Sequence, residues 1–172
     1  MHVDPFHDAD ELLRRVYAYV AYLVHDRAEA EDITSETFER ALRYRDRYDP
    51  HKGEPVGWLL GIARRCVYDA SLRPRHDAHH EAAGAAADPS ETVVVRLELA
   101  QALSELSGPD RELLALRYGA DLSTREIARL LDMKRNAVDV ALTRARSRLR
   151  QRLQPPPSGQ PAHAPRPASN EL

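Results

Sequence analysis

The chain has 172 residues, 42% of them hydrophobic and 30% charged, and its formal net charge is −2. It is long enough to bury a core as one large or two small domains, and it is too apolar for a fully disordered chain. No run reaches the roughly 18 consecutive apolar residues of a membrane span, which argues against membrane insertion. A single cysteine excludes an intramolecular disulfide and any multi-cysteine zinc site. Because the acidic N-terminus lacks the basic region of a signal peptide, we expect a cytoplasmic protein.

Apolar residues recur at helical spacing through the first third of the chain. They predict three helices, which run from Asp10 to His25, from Ala28 to Arg45 and from Pro55 to Leu72. Between the last two, residues 46–54 contain an Asp-Pro pair and Gly53, and these turn signals predict a loop. We assign residues 6–73 to a first, three-helix domain.

Residues 74–91 are rich in alanine, histidine and acidic residues and show no periodicity, so they predict a flexible linker. Four further helices are predicted in a second domain, residues 92–153. Residues 154–172 contain six prolines and predict a disordered tail. No strand pattern occurs, so the predicted fold is all-α, with two small helical domains joined by a flexible linker.

A helix-turn-helix pattern lies near the end of the second domain. Ser123 and Glu126 form a capping box at the start of a short helix over 124–131, and after a tight break a longer helix follows over 136–153. Residues 134–152 carry seven Lys or Arg residues against Asp139 alone. Such a helix fits the major groove of DNA, where base edges can be distinguished. The alternative is an amphipathic helix whose arginines are merely solvated.

Three segments resemble bacterial RNA polymerase sigma factors. The fourth conserved region of that family resembles residues 122–131, LSTREIARLL, and the basic helix after them, whereas the second region resembles residues 30–41, AEDITSETFERA, and 57–64, GWLLGIAR. With only these two regions present, the chain is similar to the extracytoplasmic-function subfamily. The resemblance covers about residues 6–153.

The resemblance implies that the chain binds core RNA polymerase and directs it to promoter DNA. Contacts to the clamp helices of the β′ subunit are expected from the second helix, at Asp32, Glu36, Thr37 and Phe38, with further contacts to the β subunit. An acidic helix face suits a protein interface. On the residues alone, Phe38 is equally well explained as a core side chain.

The loop over 48–55 and the third helix match the part of the family that reads and melts the minus-ten promoter element. Aromatic rings can replace the stacking that separated bases lose, and cations can bind the backbone. The candidate residues are Tyr44, Tyr48, Lys52, Trp58, Arg64, Arg65 and Arg73. Trp58 is equally well explained as core, and Arg65 replaces an asparagine that is commoner in the family.

The basic helix matches the part of the family that reads the minus-thirty-five element. Its candidate contacts are Lys134, Arg135, Asn136, Val140, Thr143 and Arg144. The run Asp139, Val140 and Ala141 departs from the basic or small polar residues of many relatives and leaves fewer donors for the groove. We therefore expect weak or shape-dependent reading of this element.

A cluster of His76, His79, His80 and nearby acids is the only candidate for metal chemistry, and its place in the predicted linker favours solvated side chains over a zinc site. We predict no metal, no cofactor and no catalytic residue, and an anti-sigma factor is a possible further partner. Two alternatives stay open. One is a helix-turn-helix regulator that acts without polymerase, and the other is a metal-dependent enzyme built on the histidine cluster.

Overall fold

The structure, a computed structural model, describes residues 4–24, 26–73 and 91–154. These ranges contain seven α-helices and no strand: α1 (Ala9–Leu23), α2 (Arg27–Arg43), α3 (Pro55–Ser71), α4 (Glu91–Ser104), α5 (Gly108–Leu114), α6 (Thr124–Leu130) and α7 (Arg135–Leu153). A 3₁₀ turn at Arg45–Arg47 follows α2, and a π-helical turn at Ala115–Gly119 continues α5. The all-α prediction is confirmed. None of the described helices is long and apolar enough to cross a bilayer.

The N-terminal group, α1 to α3, begins and ends close to the predicted positions because its helix boundaries have local signals. The Asp26 side chain caps α2 by accepting a hydrogen bond from the backbone N–H of Glu29 at 2.8 Å, and Pro55 occupies the first turn of α3. Helix α1 ends at Leu23, earlier than predicted. Cys66 is fully buried in α3, and burial raises the pKa of its thiol, so it behaves as a small apolar side chain.

The C-terminal group, α4 to α7, is held together mainly by contacts to α7. Ala145 of α7 is buried in a small cluster with Leu103, Leu106 and Leu114. Beside it, the Arg148 guanidinium donates to both carboxylate oxygens of Asp110 at 2.8 Å. Helix α7 is therefore fixed on α4 and α5 along one side.

The two groups share one core. Four buried residues of α1, namely Leu12, Val16, Tyr19 and Val20, belong to a cluster that extends through α2 and α3 into the C-terminal group at Leu116, Ala120, Leu122 and Ile127. The closest approach is at Gly119, where a Cβ atom would lie 2.9 Å from the carbonyl oxygen of Ala18. Since real Cβ contacts are longer, any side chain at position 119 would push the two groups apart.

The sequence predicts two helical domains joined by a linker, but it does not predict this contact between them. Helices α1 and α3 have apolar residues on more than one face, and the second face packs against the other group; Leu130 of α6, for example, lies next to Gly61 of α3. Burying a large aliphatic side chain contributes about 1.5–3 kcal/mol, so a second apolar face favours such packing. The predicted linker and tail lie outside the described residues, except for Glu91 and Gln154.

Candidate nucleic-acid interface

The predicted helix-turn-helix is present at α6 and α7. The Ser123 hydroxyl accepts a hydrogen bond from the Glu126 N–H at 3.3 Å, and the Glu126 carboxylate accepts one from the Ser123 N–H at 2.7 Å, which confirms the capping box. Burial opposes ionisation of the Glu126 carboxyl, but the hydrogen bonds from Ser123 and the charges of Arg15 and Arg129 outweigh it and lower its pKa. The turn between α6 and α7 contains Asp132 in the left-handed conformation, at φ 53°.

The outer face of α7 is open to solvent. All six candidate contacts to the minus-thirty-five element are exposed, and they are Lys134, Arg135, Asn136, Val140, Thr143 and Arg144. The inner face buries Val138, Leu142 and Ala145. Ala137, next to Val138 in the first turn of α7, is exposed.

The arginines of α7 fall into two sets. Arg148 binds Asp110, and Arg152 binds Glu105 at 2.7 Å, so both fasten the helix to its own group. Within the part of the chain that the structure describes, Arg135 and Arg144 form no ion pair and no hydrogen bond. Arg135 and Arg144 are therefore available to DNA, whereas Arg148 and Arg152 hold the helix in place.

An aromatic cluster lies where the loop after α2 meets α3. Tyr48 and Trp58 have ring centroids 5.6 Å apart, and Trp58 also contacts Phe6 at 6.4 Å. The Tyr48 hydroxyl donates to the Gly53 carbonyl at 3.1 Å, and burial together with the carboxylates of Glu54 and Asp49 raises the Tyr48 pKa. Gly53 has φ +150°, a conformation that other residues rarely adopt, so a glycine is required for this loop.

A basic groove of about 620 Å³ runs beside this cluster, between the end of α2 and α3. Its lining includes four arginines and two of the predicted aromatic residues: Arg40, Arg43, Arg47, Arg65, Tyr44 and Trp58. Tyr44 is 46% exposed, and the guanidinium of Arg47 lies 4.8 Å from its ring centroid. Arg43 and Arg47 were not among the predicted DNA contacts, although their spacing around Tyr44 at the end of a predicted helix was a usable signal.

Two of the other predicted minus-ten residues are bound to carboxylates of the same chain. The Arg64 Nε donates to Glu112 of α5 at 2.6 Å, and the Tyr19 hydroxyl donates to the same oxygen at 3.3 Å. Burial raises the pKa of Tyr19, and the charge of Glu112 raises it further, so Tyr19 stays a neutral donor. Arg73 donates to Glu36 at 3.2 Å. Lys52 is exposed, 3.8 Å from Asp49.

The predicted polymerase-binding residues of α2 are placed very differently from one another. Asp32 is exposed, whereas Glu36 is partly buried and accepts hydrogen bonds from Arg40 at 2.5 Å and Arg73 at 3.2 Å. Phe38 is partly buried, and its ring lies 6.4 Å from that of Phe6.

Thr37 requires a correction to the predicted surface. Its side chain is fully buried, and its hydroxyl donates to the Ile33 carbonyl at 2.8 Å. A side chain without solvent exposure cannot contact a second protein in this conformation. Its position is explained by the packing of α2 against α3 and by its internal hydrogen bond.

No group of three or more His, Cys, Asp or Glu side chains that could hold a metal ion occurs in the described ranges. The histidine cluster at 76–80 lies outside them.

Each of the two helical groups matches a known protein family. The family described as Sigma-70 region 2 matches residues 9–75, and the family described as Sigma-70, region 4 matches residues 96–149. The two matches cover the α1–α3 group and most of the α4–α7 group. Their boundaries therefore coincide with the two groups of helices.

Three curated relatives match most of the chain. The ECF RNA polymerase sigma factor BldN of Streptomyces coelicolor is 34% identical over 146 residues, which are 79% of this chain and 55% of BldN. SigM of Bacillus subtilis, also an ECF RNA polymerase sigma factor, is 29% identical over 78% of this chain and 86% of SigM. The RNA polymerase sigma factor CarQ of Myxococcus xanthus is 32% identical over 81% of this chain and 83% of CarQ.

Two solved structures share the fold. The first is the sigma factor RpoE of Bartonella quintana, in complex with the anti-sigma factor NepR. It has a TM-score of 0.61 at 21% identity, and the aligned part covers 83% of this chain and 91% of the RpoE chain. The second is CnrH, in complex with the cytosolic domain of CnrY. It has a TM-score of 0.58 at 23% identity, and the aligned part covers 83% of this chain and 80% of the CnrH chain.

Proposed function

The chain belongs to the extracytoplasmic-function RNA polymerase sigma factors, and from this premise we propose that it binds core RNA polymerase in the cytoplasm and directs it to particular promoters. The observation that carries the proposal is the presence, on one chain, of the region 2 helices and of a capped helix-turn-helix whose outer arginines face solvent. The chain supplies recognition and strand opening, and the polymerase supplies the catalysis. We therefore assign no enzymatic activity to it.

In this proposal, α7 lies in the major groove at the minus-thirty-five element. Lys134 and Arg135 at its start contact phosphates, whereas Arg144 and Asn136 reach base edges and Val140 contacts a thymine methyl group. Asp139 is exposed on the same side of α7 and repels phosphates, so base contacts are few. The exposure of all six residues supports this assignment.

The basic groove beside α3 holds the separated strand of the minus-ten element. An unpaired base stacks on the exposed ring of Tyr44, and the groove arginines bind the backbone around it. Trp58 and Tyr48 support the loop as a pair of contacting, mutually tilted rings. Arg65 is exposed in α3 where relatives often have asparagine, so we propose that it contacts a base or its phosphate by charge.

Helix α2 contacts the clamp helices of the polymerase β′ subunit, and the C-terminal group contacts the β subunit. Asp32 is the exposed acid at the centre of the proposed α2 surface, and Glu36 and the edge of Phe38 complete it. Thr37 supports the surface only from inside, by packing. An acidic face of this kind gains affinity from complementary charge on the partner.

We also propose an anti-sigma protein as a partner. RpoE and CnrH, which share the fold, have been solved with NepR and CnrY. An open groove between α3 and α5 offers a surface for such a protein, lined by Arg64, Arg65 and Arg111 together with Tyr68 and Leu23. Its mixture of cations and apolar side chains fits an acidic amphipathic segment.

The experiment that tests the function is run-off transcription of genomic DNA fragments by core polymerase with and without the purified chain. We expect discrete transcripts that depend on the chain, together with its co-purification with core polymerase. Duplex DNA binding without either result would instead establish a helix-turn-helix regulator.

A further inference from the structure

We propose that a cavity between the loop before α3 and helix α6 is a binding site for a small planar aromatic carboxylate. The cavity has a volume of about 260 Å³ and lies next to the basic groove, with which it shares Arg47, Gly57 and Trp58. Pockets for drug-sized ligands measure roughly 300–1,000 Å³, so this one fits a smaller molecule.

Aromatic and aliphatic side chains form opposite walls of the cavity. Tyr48 and Trp58 lie on the side of α3, with ring centroids 5.6 Å apart. Leu130 of α6 and the fully buried Leu122, just before α6, lie on the other side. A flat ring bound between them would bury apolar area on both faces and would add contacts with the two aromatic rings.

Two glycines keep the cavity open. A Cβ atom at Gly57 would meet no other atom within 4 Å, so there is free space beside the first turn of α3. At Gly53 the backbone has φ +150°, and a Cβ there would lie 3.4 Å from Nη1 of Arg129. A larger side chain at position 57 would therefore fill the cavity, and one at position 53 would crowd the guanidinium of Arg129.

Arg129 is the lining cation best placed to bind an anionic group. Its side chain is exposed, and within the described ranges its guanidinium makes no ion pair and no hydrogen bond. The carboxylate of Glu126, by contrast, accepts a hydrogen bond from the Ser123 N–H at 2.7 Å. Asp49 accepts one from the His51 N–H at 3.0 Å. A guanidinium binds a carboxylate through two parallel hydrogen bonds, so Arg129 can hold a ligand of this class.

The balance of charge around the cavity favours a single negative charge on the ligand. The lining cations Arg47, Lys52 and Arg129 are matched in number by the carboxylates Asp49, Glu54 and Glu126. These carboxylates repel a multiply charged anion such as a nucleoside triphosphate, whereas one carboxylate needs only one available cation. The neighbouring basic groove differs, because four arginines line it and suit a nucleic-acid backbone.

The test uses the fluorescence of Trp58, the only tryptophan of the chain, which lines the cavity. The probe is trans-cinnamate, a planar aromatic monoanion, and the matched neutral probe is cinnamamide. We expect a saturable response to cinnamate with a Kd below about 1 mM, verified by isothermal titration calorimetry. Cinnamamide should bind at least about tenfold more weakly, because it cannot form charged hydrogen bonds with Arg129.

Two variants test the residues that define the site. Arg129→Gln should weaken cinnamate binding at least about tenfold and leave cinnamamide binding unchanged. Its matched control is Arg125→Gln, an exposed cation of α6 that does not line the cavity and should bind cinnamate like wild type. Gly57→Leu should abolish binding of both probes, whereas Gly108→Leu, which also adds a side chain in open space but at the start of α5, should not. Circular dichroism verifies that each variant is folded.

The site would be overturned by the absence of a saturable response to cinnamate, by equal affinity for the two probes, or by equal losses for Arg129→Gln and Arg125→Gln. If Gly57→Leu does not fold, the two probes and the two arginine variants still decide. Binding is measured on the free chain without DNA or polymerase, so its outcome does not depend on the proposed function. Run-off transcription tests that function separately.

Discussion

The two surfaces proposed to read promoter DNA differ in how far their polar groups are already engaged within the chain. On α7, Arg135 and Arg144 extend into solvent, and the arginines that make ion pairs lie toward the end of the helix. On α3 and just after it, Arg64 binds Glu112 and Arg73 binds Glu36. DNA can bind the first surface as it stands, whereas at Arg64 and Arg73 of the second it must displace carboxylates of the protein itself.

Because of this difference, DNA binding at the α3 surface includes a free-energy cost, the breaking of existing ion pairs, that is absent at Arg135 and Arg144 of α7. Exposed cations exchange water and counterions for phosphate, which favours binding at low salt. A cation that already has a partly buried partner gains only the difference between two anions. The α7 surface should therefore show ordinary salt-dependent duplex binding, while binding at the α3 surface should also depend on how firmly Glu112 and Glu36 hold Arg64 and Arg73.

We expect the largest effect from charge reversal on the proposed polymerase-binding surface of α2, which leaves α7 intact. A double Asp32→Lys, Glu36→Lys variant should lose co-purification with core polymerase, because like charges at a complementary interface cost several kcal/mol. Its affinity for duplex promoter DNA should stay near wild type, since α7 is untouched. The measurements are pull-down with core polymerase and a duplex binding isotherm.

The structure predicts different effects on stability for the single charge reversals at Asp32 and at Glu36. Asp32 is exposed, so its reversal should leave stability unchanged, whereas reversing Glu36 removes the partner of Arg40 and Arg73 and should also lower the melting temperature. Glu11→Lys, which breaks an exposed pair with Arg14 on α1, is the matched charge reversal elsewhere. If Asp32→Lys alone retains wild-type yields of polymerase, α2 is not the docking surface.

The next largest effect is expected within α7, where Arg144 is free to contact DNA and Arg152 is held in an ion pair. Arg144→Ala should lower promoter-dependent transcription by a factor of about 5 to 150, which corresponds to the loss of a base contact worth about 1–3 kcal/mol. Arg152→Ala should lower it far less, because Arg152 is bound to Glu105. Run-off yield at fixed polymerase measures both, and equal losses would show that the charge of α7 acts diffusely.

A smaller effect tests whether the basic groove works by stacking. Tyr44→Leu should impair promoter melting, since stacking of a base on an aromatic ring contributes about 1–3 kcal/mol. Tyr44→Phe keeps the ring and should melt promoters like wild type. Permanganate reactivity of unpaired thymines measures the melted fraction, and a loss with Phe as large as with Leu would point to the hydroxyl instead.

Sequence reasoning succeeded where structure is determined by near neighbours. The capping box of Ser123 and Glu126 involves residues three apart, and the sequence alone was enough to predict it. The pair of Arg64 and Glu112 spans 48 residues, and its carboxylate lies on a helix of the second predicted domain. Such a pair depends on how helices pack, so no local pattern reveals it.

The face of α1 shows the same limit. Leu13 lies at helical spacing from Val16 and Val20, which are fully buried, but it is itself 49% exposed, whereas Leu12 and Tyr19 are buried. Helix α1 packs against α2 and α3 on one side and against the turn after α5 on the other, so its buried surface is wider than one stripe. A pattern for a helix with one buried face therefore finds Val16 and Val20 but not the additional buried residues Leu12 and Tyr19.

The smallest expected effect tests the local rigidity of the α7 surface through the helix that precedes it. Ser123→Ala removes the side-chain cap of α6 and should lower the free energy of unfolding by about 0.5–2 kcal/mol. Ser147→Ala, at an exposed position within α7, is the matched serine substitution without a cap. Urea unfolding at neutral pH measures both, and we expect only the first to shift the midpoint downward.

The pH dependence of the stability lost in Ser123→Ala tests whether Glu126 is the partner of Ser123. The folded-state pKa of Glu126 is lowered from its usual 4.5, and although burial opposes this, the Ser123 hydrogen bonds prevail. A lowered pKa stabilises the fold above the unfolded-state value, and that stabilisation is lost as the pH falls through the folded-state value. The difference between wild type and Ser123→Ala should therefore be largest near neutral pH and should narrow below it in acid. A difference that stays constant down to complete protonation of the carboxyl would mean that the serine acts on α6 without Glu126.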